Sequence, residues 1–281
     1  MHDSEDIKKM VRDNYARIAE QTTEENANSC CGVGGCCTVD YAVFAEDYSK
    51  MKGYVAGADL GLGCGVPTEF AQMKPGDTVI DLGSGAGNDV FVSRAIVGEK
   101  GRVIGVDMTE EMIAKARSNC EKLGFTNVEF RLGDIEQLPV TAGMADVVIS
   151  NCVLNLVPDK EKAFREIFRV LKTGGHFSIS DVVTSDSLPP AILKASELYA
   201  GCVAGAVKKD EYLALMRKAG FADVRVVREK PIHVPDEILL QFLNQDELNS
   251  YRASKNIISS VTVYGEKKTC CAPDCCRPDR S

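Results

Sequence analysis

A glycine-rich turn between an apolar pentapeptide and a helical segment constrains the fold of this chain most strongly. Residues Thr78–Leu82 read Thr-Val-Ile-Asp-Leu and are followed by three alternating glycines, Gly83, Gly85 and Gly87. A short apolar run bounded by turn residues is typical of a strand buried inside a parallel sheet. Glycines after such a strand allow a tight turn and a close backbone approach to a ligand. The segment therefore predicts a strand, a ligand-binding turn and a helix.

Beyond this turn, strand-like and helix-like segments alternate, which predicts βαβ units. The sequence therefore predicts an α/β fold with a doubly wound, mostly parallel seven-stranded sheet and a C-terminal α+β elaboration. Further strands are predicted at Arg102–Val106, Val128–Arg131, Ala145–Ser150, His176–Ser180, Ala222–Arg228 and Ser260–Tyr264. Helices are predicted at Glu5–Glu20, Tyr41–Lys52, Asn88–Val97, Glu110–Leu123, Lys160–Leu171, Pro189–Gly205, Lys209–Ala219 and Asp236–Tyr251.

The pattern divides the chain of 281 residues into four regions. Residues 1–40 form an N-terminal helix and a cysteine-rich loop, and residues 41–183 form the cofactor-binding core. Residues 184–267 complete the sheet and contribute to the substrate site. Residues 268–281 are a cysteine-rich tail without a periodic pattern, which predicts disorder.

Charge and hydropathy exclude several classes of partner. The formal net charge is -8, and no run of Lys and Arg is interleaved with aromatic residues, so nucleic acid is not an expected partner. The sequence has no run of about 18 apolar residues, so a membrane span is not expected. The charged first 29 residues do not resemble a secretory signal, so we expect a cytoplasmic protein.

The twelve cysteines are distributed unevenly. Without a secretory signal, such thiols are more often ligands of soft ions or redox groups than a disulfide scaffold. Cys120 lies in the middle of a predicted helix, where a small buried hydrophobic role is expected. Eight cysteines form adjacent pairs, at Cys30-Cys31, Cys36-Cys37, Cys270-Cys271 and Cys275-Cys276, whereas Cys64, Cys120, Cys152 and Cys202 are isolated.

The ends of the first two strands both carry an acid. Asp81 lies in the first strand, a pattern more typical of S-adenosylmethionine sites than of dinucleotide sites. Asp107 ends the next strand twenty residues after Gly87, where a carboxylate accepts hydrogen bonds from ribose hydroxyls. The G-x-G-x-G spacing also differs from the G-x-G-x-x-G of NAD sites. The predicted cofactor-binding residues are Asp81, Gly83, Gly85, Gly87, Asp107, Met108, Asp134, Ile135 and Asn151, with Asp134 facing the adenine amino group and Met108 and Ile135 sandwiching the ring.

Three further motifs surround isolated cysteines. They are Gly57-Ala-Asp-Leu-Gly-Leu-Gly-Cys64-Gly-Val-Pro67, Ser150-Asn-Cys152-Val-Leu-Asn-Leu156 and Tyr199-Ala-Gly-Cys202-Val-Ala-Gly-Ala206. With the glycine-rich turn, they make the chain resemble the arsenite methyltransferases, within the Rossmann-like class I S-adenosylmethionine methyltransferases. The resemblance covers roughly residues 41–266.

The resemblance implies a function and a set of site residues. It implies methyl transfer from S-adenosylmethionine to trivalent arsenic held by Cys64, Cys152 and Cys202. A fourth functional cysteine is N-terminal in this family, and its spacing to Cys64 favours Cys36, with Cys37, Cys31 and Cys30 as alternatives. Methylation oxidises arsenic formally to the pentavalent state, so the family also implies a thiol reductant of the thioredoxin or glutathione kind.

These residue types suit that chemistry. Trivalent arsenic is soft and prefers thiolate to oxygen ligands. Three thiolates leave arsenic one lone pair to attack the methyl group, so no general base is required. The three histidines are consistent with this, because only His176 lies near a motif, and its place at a strand start predicts a structural role.

Two alternatives remain open at the level of sequence. One is a methyltransferase for another small acceptor, such as selenium, tellurium, a thiol or a quinone-like compound. The other is a metalloid-binding or zinc-binding protein without turnover. The paired cysteines lack the C-x2-C spacing that is typical of structural zinc.

Overall fold

The computed structural model describes residues 4–21, 46–189, 205–233, 236–240, 242–254 and 256–268. Within these ranges, seven strands form one sheet in the order β3-β2-β1-β4-β5-β7-β6. All neighbouring strands are parallel except for β7, which runs antiparallel to both β5 and β6. The strands are β1 Thr78–Leu82, β2 Arg102–Asp107, β3 Val128–Leu132, β4 Ala145–Asn151, β5 Leu171–Thr184, β6 Ala222–Ile232 and β7 Ile258–Glu266.

The helices cover both faces of this sheet and an additional helix precedes it. They are α1 Ser4–Glu20, α2 Pro67–Phe70, α3 Asn88–Val97, α4 Glu110–Leu123, α5 Lys160–Val170, α6 Lys209–Lys218, α7 Asp236–Leu239 and α8 Gln245–Ala253. A short 3-10 helix spans Leu154–Leu156. The predicted doubly wound α/β fold with a mostly parallel seven-stranded sheet is confirmed.

Alternation along β1 explains the two-sided core. Ile80 packs into an apolar cluster with Phe164 of α5, whereas Val79 packs into another cluster with Phe91 of α3. All four side chains are at most 1% exposed. Successive residues of a strand point to opposite faces, so a strand that is apolar at every position needs helices on both sides.

The structure corrects two predicted helices. Residues 46–48 of the predicted helix Tyr41–Lys52 are coil and residues 49–52 form turns, with hydrogen bonds from Met51 N to Tyr48 O and from Tyr54 N to Met51 O. The predicted helix at Asp236–Tyr251 is two helices, because Asn244 forms a capping box with Glu247 and starts α8 afresh. Most of the predicted helix Pro189–Gly205 lies outside the described residues.

The sheet order places a ligand edge between two particular strands. β1 pairs with β2 on one side and with β4 on the other, so the chain reverses its direction of winding at β1 and β4. Open α/β sheets bind ligands beyond the carboxyl ends of the strands at such a point. Asp81 of β1 and Asn151 at the end of β4 both lie near this edge.

Candidate active site

The turn after β1 has the backbone conformation that its glycines predict. Gly83, Gly85 and Gly87 have φ of 66°, 50° and 103°, in the left-handed region that side chains disfavour. A Cβ on Gly83 would lie 2.3 Å from the side chain of Val153. Only glycine fits this approach between the turn and the segment after β4.

A large cavity opens beside this turn, between the sheet edge and α1. Gly87 does not line the cavity. A Cβ on this glycine would lie 2.8 Å from the ring of Phe91. The predicted cofactor residues that line the cavity are Asp81, Gly83, Gly85, Asp107, Met108, Asp134, Ile135 and Asn151. The structure thus brings together eight of these nine residues around one space.

Three acids belong to this wall: Asp81 and Asp89 are buried, and Asp107 is half-buried. Burial raises the pKa of Asp81 well above its usual value, and the nearby Asp89 and Asp107 raise it further. Burial also raises the pKa of Asp89 to about 6, against the hydrogen bonds from Asn151 and Tyr48 that lower it. So many acids beside one cavity favour a cationic ligand.

Asp107 connects the second strand to the glycine-rich turn. Its Oδ2 accepts a hydrogen bond from Gly85 N at 3.0 Å, and its Oδ1 accepts one from Thr109 N at 2.9 Å. Burial raises the pKa of this carboxyl group, and these backbone hydrogen bonds lower it. Each carboxylate oxygen has more than one acceptor position, so the group is able to bind a ligand hydroxyl as well.

The residue predicted to face adenine has a cationic neighbour. Lys8 of α1 donates from Nζ to Asp134 Oδ2 at 2.6 Å and to Glu136 Oε2 at 2.8 Å. Lys8, Val11 and Tyr15 bring α1 to the cavity wall. The sequence analysis missed this helix as part of the site, because an amphipathic pattern does not reveal which surface it covers.

The residues of the cavity fit an S-adenosylmethionine molecule. Ser84 Oγ and Asn88 Oδ1 are buried atoms of the cavity wall that have no hydrogen-bond partner among the described residues. Buried polar atoms of this kind normally have a partner, which a bound ligand supplies. The acids match the ammonium and sulfonium charges of this cofactor, and the turn glycines admit it closely.

Two of the predicted arsenic ligands meet next to the cavity. The Sγ atoms of Cys64 and Cys152 and a carboxylate oxygen of Asp181 all lie within 4.8 Å of one another. Cys64 is 2% and Cys152 is 6% exposed. Cys152 also borders the cavity, so it lies between the proposed donor and acceptor spaces. Cys202 and Cys36 lie outside the described residues.

The backbone at Cys152 is unusual. Its φ is 59°, in the left-handed region that few non-glycine residues adopt. Cys152 N donates to Ser180 O at 2.8 Å and thereby holds this turn against β5. Strained conformations of this kind cluster at functional sites.

Asp181 was not predicted as a site residue. Its Oδ1 accepts from Val182 N at 2.9 Å, and its Oδ2 accepts from Tyr212 Oη at 3.0 Å and from Asn155 N at 3.1 Å. Burial raises the pKa of Asp181 to about 6. Only the pairing of β4 with β5 brings this acid to the thiols, so no local motif announces it.

Two residues expected to be structural have structural surroundings. Cys120 is buried in the cluster between α3 and α4, with Sγ 3.7 Å from Phe125 O. His176 Nε2 lies 2.6 Å from Ala71 O, and its ring stacks on Tyr264. Neither residue lines the cavity.

Comparison with known proteins agrees with the geometry of the site. A family described as a methyltransferase domain matches residues 73–220, just over half of the chain. The arsenite methyltransferase of Halobacterium salinarum is 42% identical and covers 91% of this chain. That of Aquipseudomonas alcaligenes is 34% identical over 91% of this chain and 72% of its own length. The chain belongs to the arsenite methyltransferase family.

A solved structure agrees with this family membership. The arsenic(III) S-adenosylmethionine methyltransferase from Chlamydomonas reinhardtii is 34% identical, with a TM-score of 0.62 over 74% of this chain and 68% of that one. The chain spans about two thirds of the length of the curated relatives that it matches, and 66% of the length of the Halobacterium salinarum protein. Among the described residues, no helix is long and apolar enough to cross a bilayer.

Proposed function

We propose that this protein transfers methyl groups from S-adenosylmethionine to trivalent arsenic bound by thiolates, giving methylated arsenicals. One observation carries the proposal: Cys152 borders the cofactor cavity and lies in a cluster with Cys64. A soft thiol pair beside a methyl-donor cavity suits a thiophilic acceptor. The family membership supports the same reaction. Its methylated arsenical products are those expected of an arsenic-detoxification enzyme.

The thiols have the principal role in this mechanism. Cys64 and Cys152 bind arsenic from two segments, and Cys202 is the proposed third ligand. Each thiol that binds arsenous acid forms a sulfur–arsenic bond and releases one water, which carries the thiol proton and the departing hydroxide. Three such ligands leave one lone pair on arsenic, and no proton has to leave this nucleophile. The site therefore acts chiefly by positioning.

The cavity residues have a complementary role. When bound, S-adenosylmethionine would supply an electrophilic methyl group, and breaking its methyl carbon–sulfur bond would leave the neutral thioether S-adenosylhomocysteine. Asp81 and Asp89 offset positive charge, Asp107 accepts from ribose hydroxyls, and Met108 and Ile135 enclose the adenine ring. Gly83 and Gly85 allow the backbone to approach.

A reductant completes the cycle in this proposal. Loss of the arsenic lone pair to the new carbon–arsenic bond leaves arsenic formally pentavalent. Two cysteine thiols return two electrons to it, release their two protons to solvent and form a disulfide, which a thioredoxin-like or glutathione-like thiol then reduces by exchange. Cys36 is the proposed fourth functional cysteine, with Cys30, Cys31 and Cys37 as alternatives. Such chemistry suits the reducing cytoplasm, where we expect the protein.

Cysteine substitutions test the proposal. A hydroxyl is a hard donor that does not ionise at neutral pH, so Cys152→Ser and Cys202→Ser should abolish methylation of arsenite and of monomethylarsenite. Cys64→Ser should abolish only the first, because monomethylarsenite needs one thiolate fewer. Cys120→Ser is the matched control and should keep activity. The measurement is product speciation, with cofactor affinity determined separately.

One result would overturn this mechanism. If Cys152→Ser methylates arsenite at the parent rate, the thiols are incidental, and a selenium, tellurium or organic acceptor becomes the better assignment. Parallel assays with selenite and a catechol separate these acceptors.

A further inference from the structure

The segment that carries Cys64 has no regular secondary structure of its own. Residues 60–66 form bends and coil between turns and α2. A thiol on such a segment needs other contacts to hold it in place. Cys64 O accepts a hydrogen bond from Ser260 Oγ of β7 at 2.6 Å. Its other backbone contact comes from the end of β4.

Asn151 holds the opposite side of this segment. Its Oδ1 accepts from Cys64 N at 3.1 Å and from Gly65 N at 3.3 Å. Its Nδ2 donates to Gly65 O at 2.9 Å. A side-chain amide that pairs with both the N–H groups and the carbonyl of one turn fixes the position of that turn.

Two buried side chains orient this amide. The two hydrogens on Asn151 Nδ2, one of which also faces Gly65 O, are shared with Tyr48 Oη at 2.9 Å and Asp89 Oδ2 at 3.1 Å. The Tyr48 hydroxyl hydrogen faces Asp89 Oδ1 at 2.9 Å and Gly65 O at 3.0 Å. Tyr48 is 3% and Asp89 is 6% exposed. Since backbone N–H groups face Oδ1 and acceptors face Nδ2, the amide has one allowed orientation.

The segment packs closely against its neighbours at two glycines. A Cβ on Gly63 would lie 2.6 Å from Asn151 Nδ2, and one on Gly65 would lie 2.6 Å from Ser180 Oγ. The segment therefore lies directly against the ends of β4 and β5, where Cys152 and Asp181 are found.

We propose that Tyr48, Asp89 and Asn151 form a positioning network that sets Cys64 opposite Cys152 for arsenic binding. The inference rests on the proposed function, since it gives Cys64 its role as a ligand. It also reassigns the Asn151 side chain, whose amide serves the thiol segment rather than the cofactor. Asp89 lies in the first turn of α3, directly after the glycine-rich turn, so one helix start supports both halves of the site.

Kinetics of two mild variants test the network. Tyr48→Phe removes only the hydroxyl, and Tyr264→Phe is a matched control, since Tyr264 is also buried and donates to Glu266. Losing one buried hydrogen bond should lower kcat/KM for arsenite roughly tenfold in Tyr48→Phe. At saturating S-adenosylmethionine, methylation of monomethylarsenite should stay at the parent value in both variants.

A specific outcome contradicts this role. If Tyr48→Phe lowers both methylation steps equally, or neither, the network does not position Cys64.

Hydrogen exchange provides a readout that does not depend on arsenic. The Cys64 and Gly65 amides should exchange about tenfold faster in Asn151→Ala than in the parent, because their acceptor is gone. Tyr264→Phe should leave them unchanged. Unchanged exchange in Asn151→Ala would overturn the inference. Faster exchange in a protein that never methylates arsenite would uphold the network and reject the proposed function.

Discussion

Asp107 is placed to serve both the protein and a ligand. It anchors the glycine-rich turn through Gly85 N and reaches the cavity where a ribose is expected. A hydrogen bond to a charged acceptor contributes more than a neutral one. Removing the Asp107 carboxylate should therefore lower mainly the affinity for the cofactor.

We predict that Asp107→Ala weakens S-adenosylmethionine binding by roughly 1–3 kcal/mol, the scale of hydrogen bonds to a charged group. Asp107→Asn, which keeps an acceptor for Gly85 N, should lose less. Isothermal calorimetry measures both affinities. An affinity for Asp107→Ala equal to that of the parent protein would remove this residue from the cofactor site.

Helix α1 is the element whose role is least evident from its sequence. It packs on α4 and ends where Lys115 Nζ donates to Ala19 O at 2.9 Å. Burial lowers the pKa of Lys8, but its hydrogen bonds to Asp134 and Glu136 outweigh this, and the pKa is raised. The ion pairs thus attach α1 to the cavity wall.

Removing this attachment should loosen the cofactor. Lys8→Met keeps the apolar stem but leaves Glu136, 6% exposed in its side chain, without its nearest cation. We expect S-adenosylmethionine to bind about tenfold more weakly, close to 1.4 kcal/mol. Lys9→Met is the matched control, because Lys9 is exposed on the same helix. If Lys8→Met and Lys9→Met bind S-adenosylmethionine equally tightly, α1 covers the cavity without contributing to cofactor affinity.

At the scale of the whole molecule, the buried acids predict a pH dependence. A raised carboxyl pKa means that the folded, cofactor-free protein holds its protons more tightly than the unfolded chain. For Asp89, the stabilisation is complete below the usual value of 3.8 and is lost as pH rises through about 6. Binding of a cationic cofactor favours the ionised acids and has the opposite pH trend.

Cofactor affinity should therefore fall as pH decreases from 7 to 5. The limiting slope is about tenfold per pH unit for each proton released. Calorimetry in buffers of different ionisation enthalpy measures both the affinity and the protons released. A flat profile without proton release would show that these acids keep their protonation state when the cofactor binds.

The C-terminal tail should be separable from the fold. Gly174 N donates to Lys267 O at 2.7 Å, and Lys267 Nζ donates to Phe168 O at 2.7 Å, so contacts with the core extend to residue 267. Deleting residues 269–281 should leave the melting temperature and the first methylation at saturating arsenite unchanged. Deleting β7 as well is the destabilised control. An inactive or unfolded chain after the shorter deletion would assign the tail a structural role.

Sequence patterns predicted the regular elements well and their ends less well. Helices Asn88–Val97 and Glu110–Leu123 were predicted with their observed bounds, because glycines end both. β5 begins at Leu171 rather than His176, because Leu171 pairs with Ala145 of β4 ahead of a register shift and the backbones of Gly174 and Gly175 hydrogen-bond with Lys267. Neighbouring strands, rather than local propensity, decide such boundaries.

The residues of the candidate site also differ in how far the sequence could predict them. The glycine-rich turn and the strand-end acids have local signals, so the sequence could place them together beside one cavity. Lys8 and Tyr48 contact partners 126 and 41 residues away, and only the folded chain brings them there. The predicted roles of Cys36 and Cys202 stay predictions.

The place of β7 has a consequence for the order of biosynthesis. Among the described strands it is translated last, yet it lies between β5 and β6. Ser260 leaves the ribosome 196 residues after the Cys64 backbone that it holds. The strands around the cofactor cavity are translated earlier and adjoin one another, so a nascent chain can complete that half first. Until β7 inserts, Ser260 does not hold the Cys64 segment, so we expect this thiol to react more readily with arsenite and oxidants in the nascent chain than in the folded protein.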